Sequence, residues 1–334
     1  MRSAGSAMAR CLLATGMLAA VAALIAGCSR SEGPPTAPNA ESVTVALPLA
    51  LQSALVLLAV DKRYFAEQGL NVTITPMASG AAAIDALERG QADFSLNSET
   101  AFALAALDNK NVRLLATLYR SRANMSMVAR KDSGIARPRD LAGKRIGVIA
   151  NTGADYFADL YLGLQSIESS QITRISLKVD KAERALLEGD VDAAVMFHPY
   201  SSRVIARLGE QAVVFSEPAV YQMQFNLVAR PEITASRTQV ARRFLLALQK
   251  ALTFLRENPE AARRLIIEAT KEDPVVFGKV WQVSDFMLAL NQILLNMLED
   301  EARWALARRA TATAAPPNFL DFIDARPLQS VRPD

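Results

Sequence analysis

Imidazole and thiol are scarce in these 334 residues: there is one histidine, His198, and there are two cysteines, Cys11 and Cys28. A single histidine excludes two-histidine metal motifs such as H-E-x-x-H. No G-x-S-x-G elbow presents a serine nucleophile. A phosphate loop is missing as well, because in "LAGKRIG" Arg145 follows Gly143-Lys144 and Pro138 stands where the first glycine belongs. Nucleotide hydrolysis is therefore not expected, and neither is a cofactor or a metal.

Small polar residues recur instead where a β-like run gives way to a helical pattern. "MASGAAAIDAL" places Ser79 and Gly80 at a helix start, "LNSETAFALAAL" places Asn97, Ser98 and Thr100 at a second, and "ANTGADYFADL" places Asn151, Thr152 and Gly153 at a third. Each start presents free backbone N–H groups and the positive end of a helix dipole. Such ends suit sulfonate, nitrate, phosphate or carboxylate without a lysine. The same residues also begin helices merely as caps, and Thr152 with Asp155 fits a capping box. Their repetition after strands in both halves of the chain favours a ligand site. His198, Pro199 and Tyr200 end the strand "VDAAVMF" and should reach the same cleft, although a lone histidine also serves as a satisfied structural residue. Tyr156, Phe157 and Tyr221 supply apolar walls or core.

The elements that must position these residues are written twice. "VTVALPLALQSALVLLA" is matched by "RIGVIANTGADYFADLYL", "ALERGQADFSLNSE" by "ALLEGDVDAAVMFH", and "MSMVAR" by "FNLVAR", in one order and at a separation near one hundred residues. Short runs rich in Val, Ile and Thr alternate with helical patterns, which predicts α/β lobes, each a mainly parallel sheet flanked by helices. Gly90 and Gly189 are expected to stop helices in a left-handed conformation. The two "VAR" strands, 125–130 and 225–230, are the expected crossings between lobes, which puts 42–123 with 230–334 in lobe I and 124–229 in lobe II. Interior strands would explain their apolar character too. Beyond Pro231 the pattern is helical, over 237–258, 260–270 and a long amphipathic stretch ending in "EDEARWALARR", with Trp304 turned inward.

Residues 1–27 read as a secretory signal, with Arg2 and Arg10 before an uncharged Ala- and Leu-rich run. That run is marginal as a spanning helix. Leu24-Ile25-Ala26-Gly27-Cys28 resembles a bacterial lipobox, whose cysteine is lipidated, so Cys28 is the expected lipidation site and 28–41 a proline-rich tether. With Cys11 lost in the leader, the folded body has no disulfide. Removing Arg2 and Arg10 takes the formal net charge from +3 to +1, which suggests no nucleic-acid partner.

The segments "DKRYFAEQGLNVTITPMASGAAAIDALERGQADFSL", "DLAGKRIGVIANTGADYFADLYL", "LLEGDVDAAVMFHPY" and "PNFLDFIDARPLQSVRP" resemble the substrate-binding proteins of nitrate, sulfonate and taurine ABC importers, a group that includes binders of the thiamine pyrimidine precursor. The resemblance implies a type II-like periplasmic binding protein fold whose two lobes close on one solute, as a monomer that delivers it to a membrane permease driven by a separate ATPase. Carried over by motif, the contacts come from Gln52, Ser53, Ser79, Gly80, Asn97, Ser98, Glu99, Thr152, Gly153, Tyr156, His198 and Tyr200. Glu99 and Asp155 place negative charge near the site, which suits an amino-sulfonate such as taurine or a neutral heterocycle better than a bare anion. The alternatives to import are a ligand-sensing lipoprotein and, last, an enzyme of the pyrimidine synthase branch, whose cysteine-rich motif this chain lacks. The implied location is the periplasm or cell surface. Ser29 after the cysteine permits sorting to an outer membrane, away from an inner-membrane permease.

Overall fold

In the computed structural model, residues 40–309 and 315–331 are described; the leader, Cys28 and most of the tether lie outside them. Strands and helices alternate from the start: β1 (Glu41–Leu47), α1 (Ala54–Asp61), β2 (Leu70–Pro76), α2 (Gly80–Glu88), β3 (Phe94–Ser98), α3 (Glu99–Leu107) and β4 (Arg113–Ser121). The alternation resumes with β5 (Met125–Arg130), β6 (Arg145–Ile149), α4 (Gly153–Leu164), β7 (Thr173–Leu177), α5 (Val179–Glu188), β8 (Ala193–Phe197), α6 (Tyr200–Leu208) and β9 (Ala212–Phe215). The remainder holds β10 (Met223–Ala229), α7 (Thr238–Glu257), α8 (Pro259–Thr270), β11 (Ser284–Ala289) and α9 (Gln292–Arg308).

Two sheets result, ordered β11-β4-β10-β3-β1-β2 and β7-β6-β8-β5-β9. Leaving out the edge strand β11, they share one topology. β1 runs parallel to β2 and β3 as β6 does to β7 and β8, while β10 is antiparallel to β3 and β4 as β5 is to β8 and β9. The duplicated sequence is thus a duplicated fold, and each sheet is mixed because β10 or β5 enters antiparallel to both its neighbours, with β11 adding a second antiparallel strand at the edge of the first. Both "VAR" segments are interior strands and both are the first strand after a crossing. The chain passes from the first sheet to the second through 122–124, just ahead of the strand expected to make the crossing. The second crossing lies at 216–222, so Met223–Ala229 belongs to the first sheet and not to lobe II. Hydrogen bonding along both edges of β10 fixes it there, and all seven of its residues are buried.

The core follows from composition. α1, "ALVLLAVD", and α3, "ETAFALAAL", are apolar nearly all round and are accordingly buried almost whole. On one face of the first sheet Phe244 of α7 stacks on Phe94 at 4.3 Å and meets Phe65 at a tilt, 4.6 Å away. The other face carries α2, α3 and α9, packed through Ile84, Phe102, Val228 and Leu298. Gly90 and Gly189 hold φ of 71° and 82°, the left-handed stops expected of them. β11 is a strand where only helices were expected, paired to β4 at the sheet edge. The tail returns beside β4 too, with Asp324 N–H donating to Leu114 O at 2.9 Å.

Candidate functional site

Between the two sheets lies a cavity of about 210 Å³ into which three helices point their N-termini. Ser79 caps α2 by accepting from Ala82 N–H, Ser98 caps α3 through Ala101 N–H, and Thr152 caps α4 through Ala154 N–H, each at 3.3 Å. All three capping residues line the cavity, together with Gly80 and Gly153. They are caps and cleft residues at once. Close approach of the helix starts explains the glycines: a Cβ on Gly80 would lie 2.8 Å from Asn97 Cα and 3.0 Å from Ser98 N, and one on Gly153 would lie 2.6 Å from the Tyr221 hydroxyl and 3.2 Å from Thr100 Oγ1. α2 and α3 come from the first lobe and α4 from the second, so the cluster of N–H groups is assembled across the cleft.

The remaining wall is apolar and deformable, with Met77, Met125, Met223, Phe197 and Phe225. Gln52 lines it from the short 3-10 turn Leu51–Ser53 before α1, and Tyr200 from the start of α6, where its hydroxyl donates to Ala78 O at 3.4 Å across the cleft. Among the described residues Arg203 is the single charged side chain of the lining. Sequence reasoning missed it and the three methionines. The signal for Arg203 was available: it follows Tyr200 by three positions on one helix, hence on one face.

Pro199 lines the cavity beside Tyr200 as expected, whereas the residues that follow are placed outside the lining. Ser53 Oγ donates to Pro48 O at 2.7 Å, and Asn97 Nδ2 donates to Ser95 Oγ at 2.9 Å within β3. His198 is buried, with Nε2 2.5 Å from Glu272 Oε2 and Nδ1 3.0 Å from Ser202 Oγ. Asp155 accepts from Asn151 N–H at 3.0 Å and pairs with Arg174, so its carboxylate faces the protein. Tyr156 packs edge-on against Trp304 at 5.3 Å and Tyr221 at 6.0 Å. Glu99 is fully buried, accepting from the Tyr221 hydroxyl and, at 2.7 Å, from Gln224 N–H. Burial raises its pKa to about 7 against the pull of those hydrogen bonds. Behind it Glu301 accepts from Thr100 Oγ1 at 3.0 Å and is raised well above the ordinary carboxyl range, first by burial and then by the charge of Glu99.

α9 of the first lobe also reaches the second. Trp304 Nε1 donates to Asp159 Oδ2 at 2.8 Å and Arg308 Nη1 to the same oxygen at 2.6 Å, while Arg174 holds Asp159 Oδ1 at 2.6 Å. No group of three or more His, Cys, Asp or Glu among the described residues is placed to hold a metal ion.

With this geometry established, three comparisons bear on the chain. Residues 50–262 match the family described as NMT1/THI5 like. A Bacillus subtilis (strain 168) protein, provisionally named an aliphatic sulfonates-binding protein, is 26% identical over 286 residues, 83% of either chain. A Legionella pneumophila subsp. pneumophila protein named 4-amino-5-hydroxymethyl-2-methylpyrimidine phosphate synthase is 23% identical over 223 residues, covering 64% of this chain and 68% of the other. Among solved structures, the alkanesulfonate-binding protein SsuA from Xanthomonas axonopodis pv. citri bound to MOPS superposes with a TM-score of 0.71 at 16% identity, over 86% of this chain and 100% of that one. At that identity the likeness is one of fold, the two-lobe periplasmic binding protein architecture expected from the sequence.

Proposed function

The chain belongs to the NMT1/THI5-like family, and from that premise we propose that it is an extracytoplasmic solute-binding receptor for a small organic anion. The observation that carries the reading is the meeting of three helix N-termini, from both lobes, on one cavity with apolar walls. Oriented N–H groups and helix dipoles stabilise an anionic head, and the Met and Phe walls cover a hydrocarbon body. The name of the Bacillus relative and the MOPS held by the Xanthomonas protein are in keeping with a sulfonate.

The cleft also narrows the choice among anions. An ammonium group, as in taurine, needs a carboxylate partner, yet Glu99 and Asp155 face other protein groups and the lining offers no acid among the described residues. Nitrate would leave the apolar wall unfilled. An alkyl or aryl sulfonate, or a carboxylate of similar shape, uses both halves of the cavity.

The pyrimidine-synthase relative favours an enzyme as the second reading. Among the described residues the lining presents neither imidazole, thiol nor carboxylate, so acid–base or nucleophilic chemistry finds none of its usual residues there. Delivery to a permease with a separate ATPase, and anchoring through lipidated Cys28, complete the proposal; membrane fractionation tests the anchor, and a sensing role would show as a signalling partner in place of a permease. The binding role itself is tested by thermal shift with alkanesulfonates, taurine, nitrate, carboxylates and pyrimidines. Occupancy at 100 times Kd stabilises by about 2.7 kcal/mol, so the alkanesulfonates should raise Tm most. No response to any of these solutes would sink the reading.

A further inference from the structure

We propose that Arg203 is the specificity-determining residue of the cleft, the group that separates an anionic solute from a neutral one of the same shape. The inference rests on the solute-binding reading above. Arg203 supplies the single formal charge among the described lining residues. It sits one turn into α6, and three features hold it. Its guanidinium carbon lies 4.8 Å over the ring of Tyr200. Tyr200 in turn reaches across the cleft to Ala78 O, next to the Ser79 cap of α2. From behind, Glu183 Oε1 accepts from Nε at 2.9 Å and from Nη2 at 2.6 Å.

This arrangement differs from that of a free surface arginine. The aromatic face and the carboxylate fix the plane of the fork, so little side-chain freedom is lost when a ligand arrives. Glu183 occupies the Nε–Nη2 edge, and among the described residues no carboxylate pairs with Nη1. The guanidinium can therefore donate to a second anion while its first partner keeps it in place. Helix N-termini alone favour negative charge but also accept a neutral sulfonyl or carbonyl oxygen, because N–H donors serve either. A fixed cation at the mouth makes the distinction by charge.

The test is a matched pair, butanesulfonate and its neutral amide butanesulfonamide, titrated calorimetrically into the full-length wild-type protein and the Arg203→Gln and Arg203→Lys variants. Wild type should prefer the sulfonate. Arg203→Gln should weaken sulfonate binding by about ten- to hundredfold, the worth of one charge-assisted hydrogen bond, and reduce its salt dependence, with the sulfonamide changed by less than about twofold. Arg203→Lys should recover part of the preference, having the charge without the fork. The half-exposed side chain leaves folding intact, which an unchanged ligand-free Tm verifies. A wild type without preference, or an Arg203→Gln protein whose two affinities move together or not at all, overturns the assignment. A wild type that binds neither compound overturns the site reading beneath it.

Discussion

Glu99 and Glu301 are two buried carboxyls whose named partners, Tyr221, Thr100, the Gln224 N–H and the nearby Asp300 charge, include no basic side chain. Glu301 Oε2 has no donor among the described residues, and a proton on the pair would supply one. Both groups are raised in the folded chain, Glu99 to about 7, whereas the unfolded value is about 4.3. The folded protein therefore binds more protons between those limits. Stability is fully present below the unfolded pKa and falls as pH rises through about 7, by on the order of 3 kcal/mol for Glu99. Tm should accordingly rise as the buffer is taken from about pH 8 to pH 5.5. Glu301→Gln, which keeps a hydrogen-bond partner and removes a charge, should flatten that profile and gain stability at the alkaline end. A Tm that falls on acidification over this range would contradict the raised pKa values of the pair. Such a pair could not be read from sequence, since Glu99 and Glu301 lie two hundred positions apart and only folding juxtaposes them. The neighbouring caps were legible because Ser79, Ser98 and Thr152 act on backbone within three residues of themselves. Glu99, Asp155 and His198 sit one to three positions from lining residues and still face elsewhere: a helix turns about 100° per residue, so adjacency in sequence does not carry direction.

At the scale of elements, the site depends on α2 and α3 starting almost in contact. The Cβ of an alanine at Gly80 would sit 2.8 Å from the Asn97 backbone, where no flexible side chain can give way. Gly80→Ala should therefore push the two helix ends apart, weakening solute binding by roughly tenfold or more through misplaced N–H groups. Gly163, exposed in the last turn of α4 with nothing within 4 Å of its notional Cβ, provides the contrast. Gly163→Ala should stabilise by about 0.4–1 kcal/mol and leave affinity alone. Equal affinities for the two variants would show that the helix ends tolerate the displacement. Elements repeated in both halves were recognisable in the sequence, because local periodicity and a stop glycine suffice to identify strand–helix units. Sheet membership was not: "FNLVAR" looks like its counterpart "MSMVAR", and only pairing with β3 and β4 assigns β10 to the first lobe. β11 escaped for a related reason, since "SDFMLA" acquires its strand character at the edge of β4.

For the whole molecule, the proposed binding role makes affinity depend on contacts with the solute and on any equilibrium between separated and closed lobes. Asp159 bears on the second without touching the first. It accepts from Trp304 and Arg308 of α9, which belongs to the other lobe, and it is absent from the cavity lining. Burial pushes its pKa up, but Trp304, Arg174 and Arg308 outweigh that and hold it below the usual carboxylate range, so the pairing favours the ionised form at neutral pH. Asp159→Asn removes the charge while keeping the shape. If closing the lobes forms these contacts, the variant spends a smaller fraction of its time in the binding-competent state, and apparent Kd rises by the inverse of that fraction. A partly exposed ion pair is worth about 1 kcal/mol or less, so the expected loss is at most roughly fivefold. Unlike the loss in Arg203→Gln, it should fall equally on butanesulfonate and butanesulfonamide, because the lobe equilibrium does not read ligand charge. Scattering from the ligand-free variant should also show a larger radius of gyration than wild type. An unchanged Kd and radius would mean that α9 rides on both lobes in every state, and that closure turns only on the segments 122–124 and 216–222.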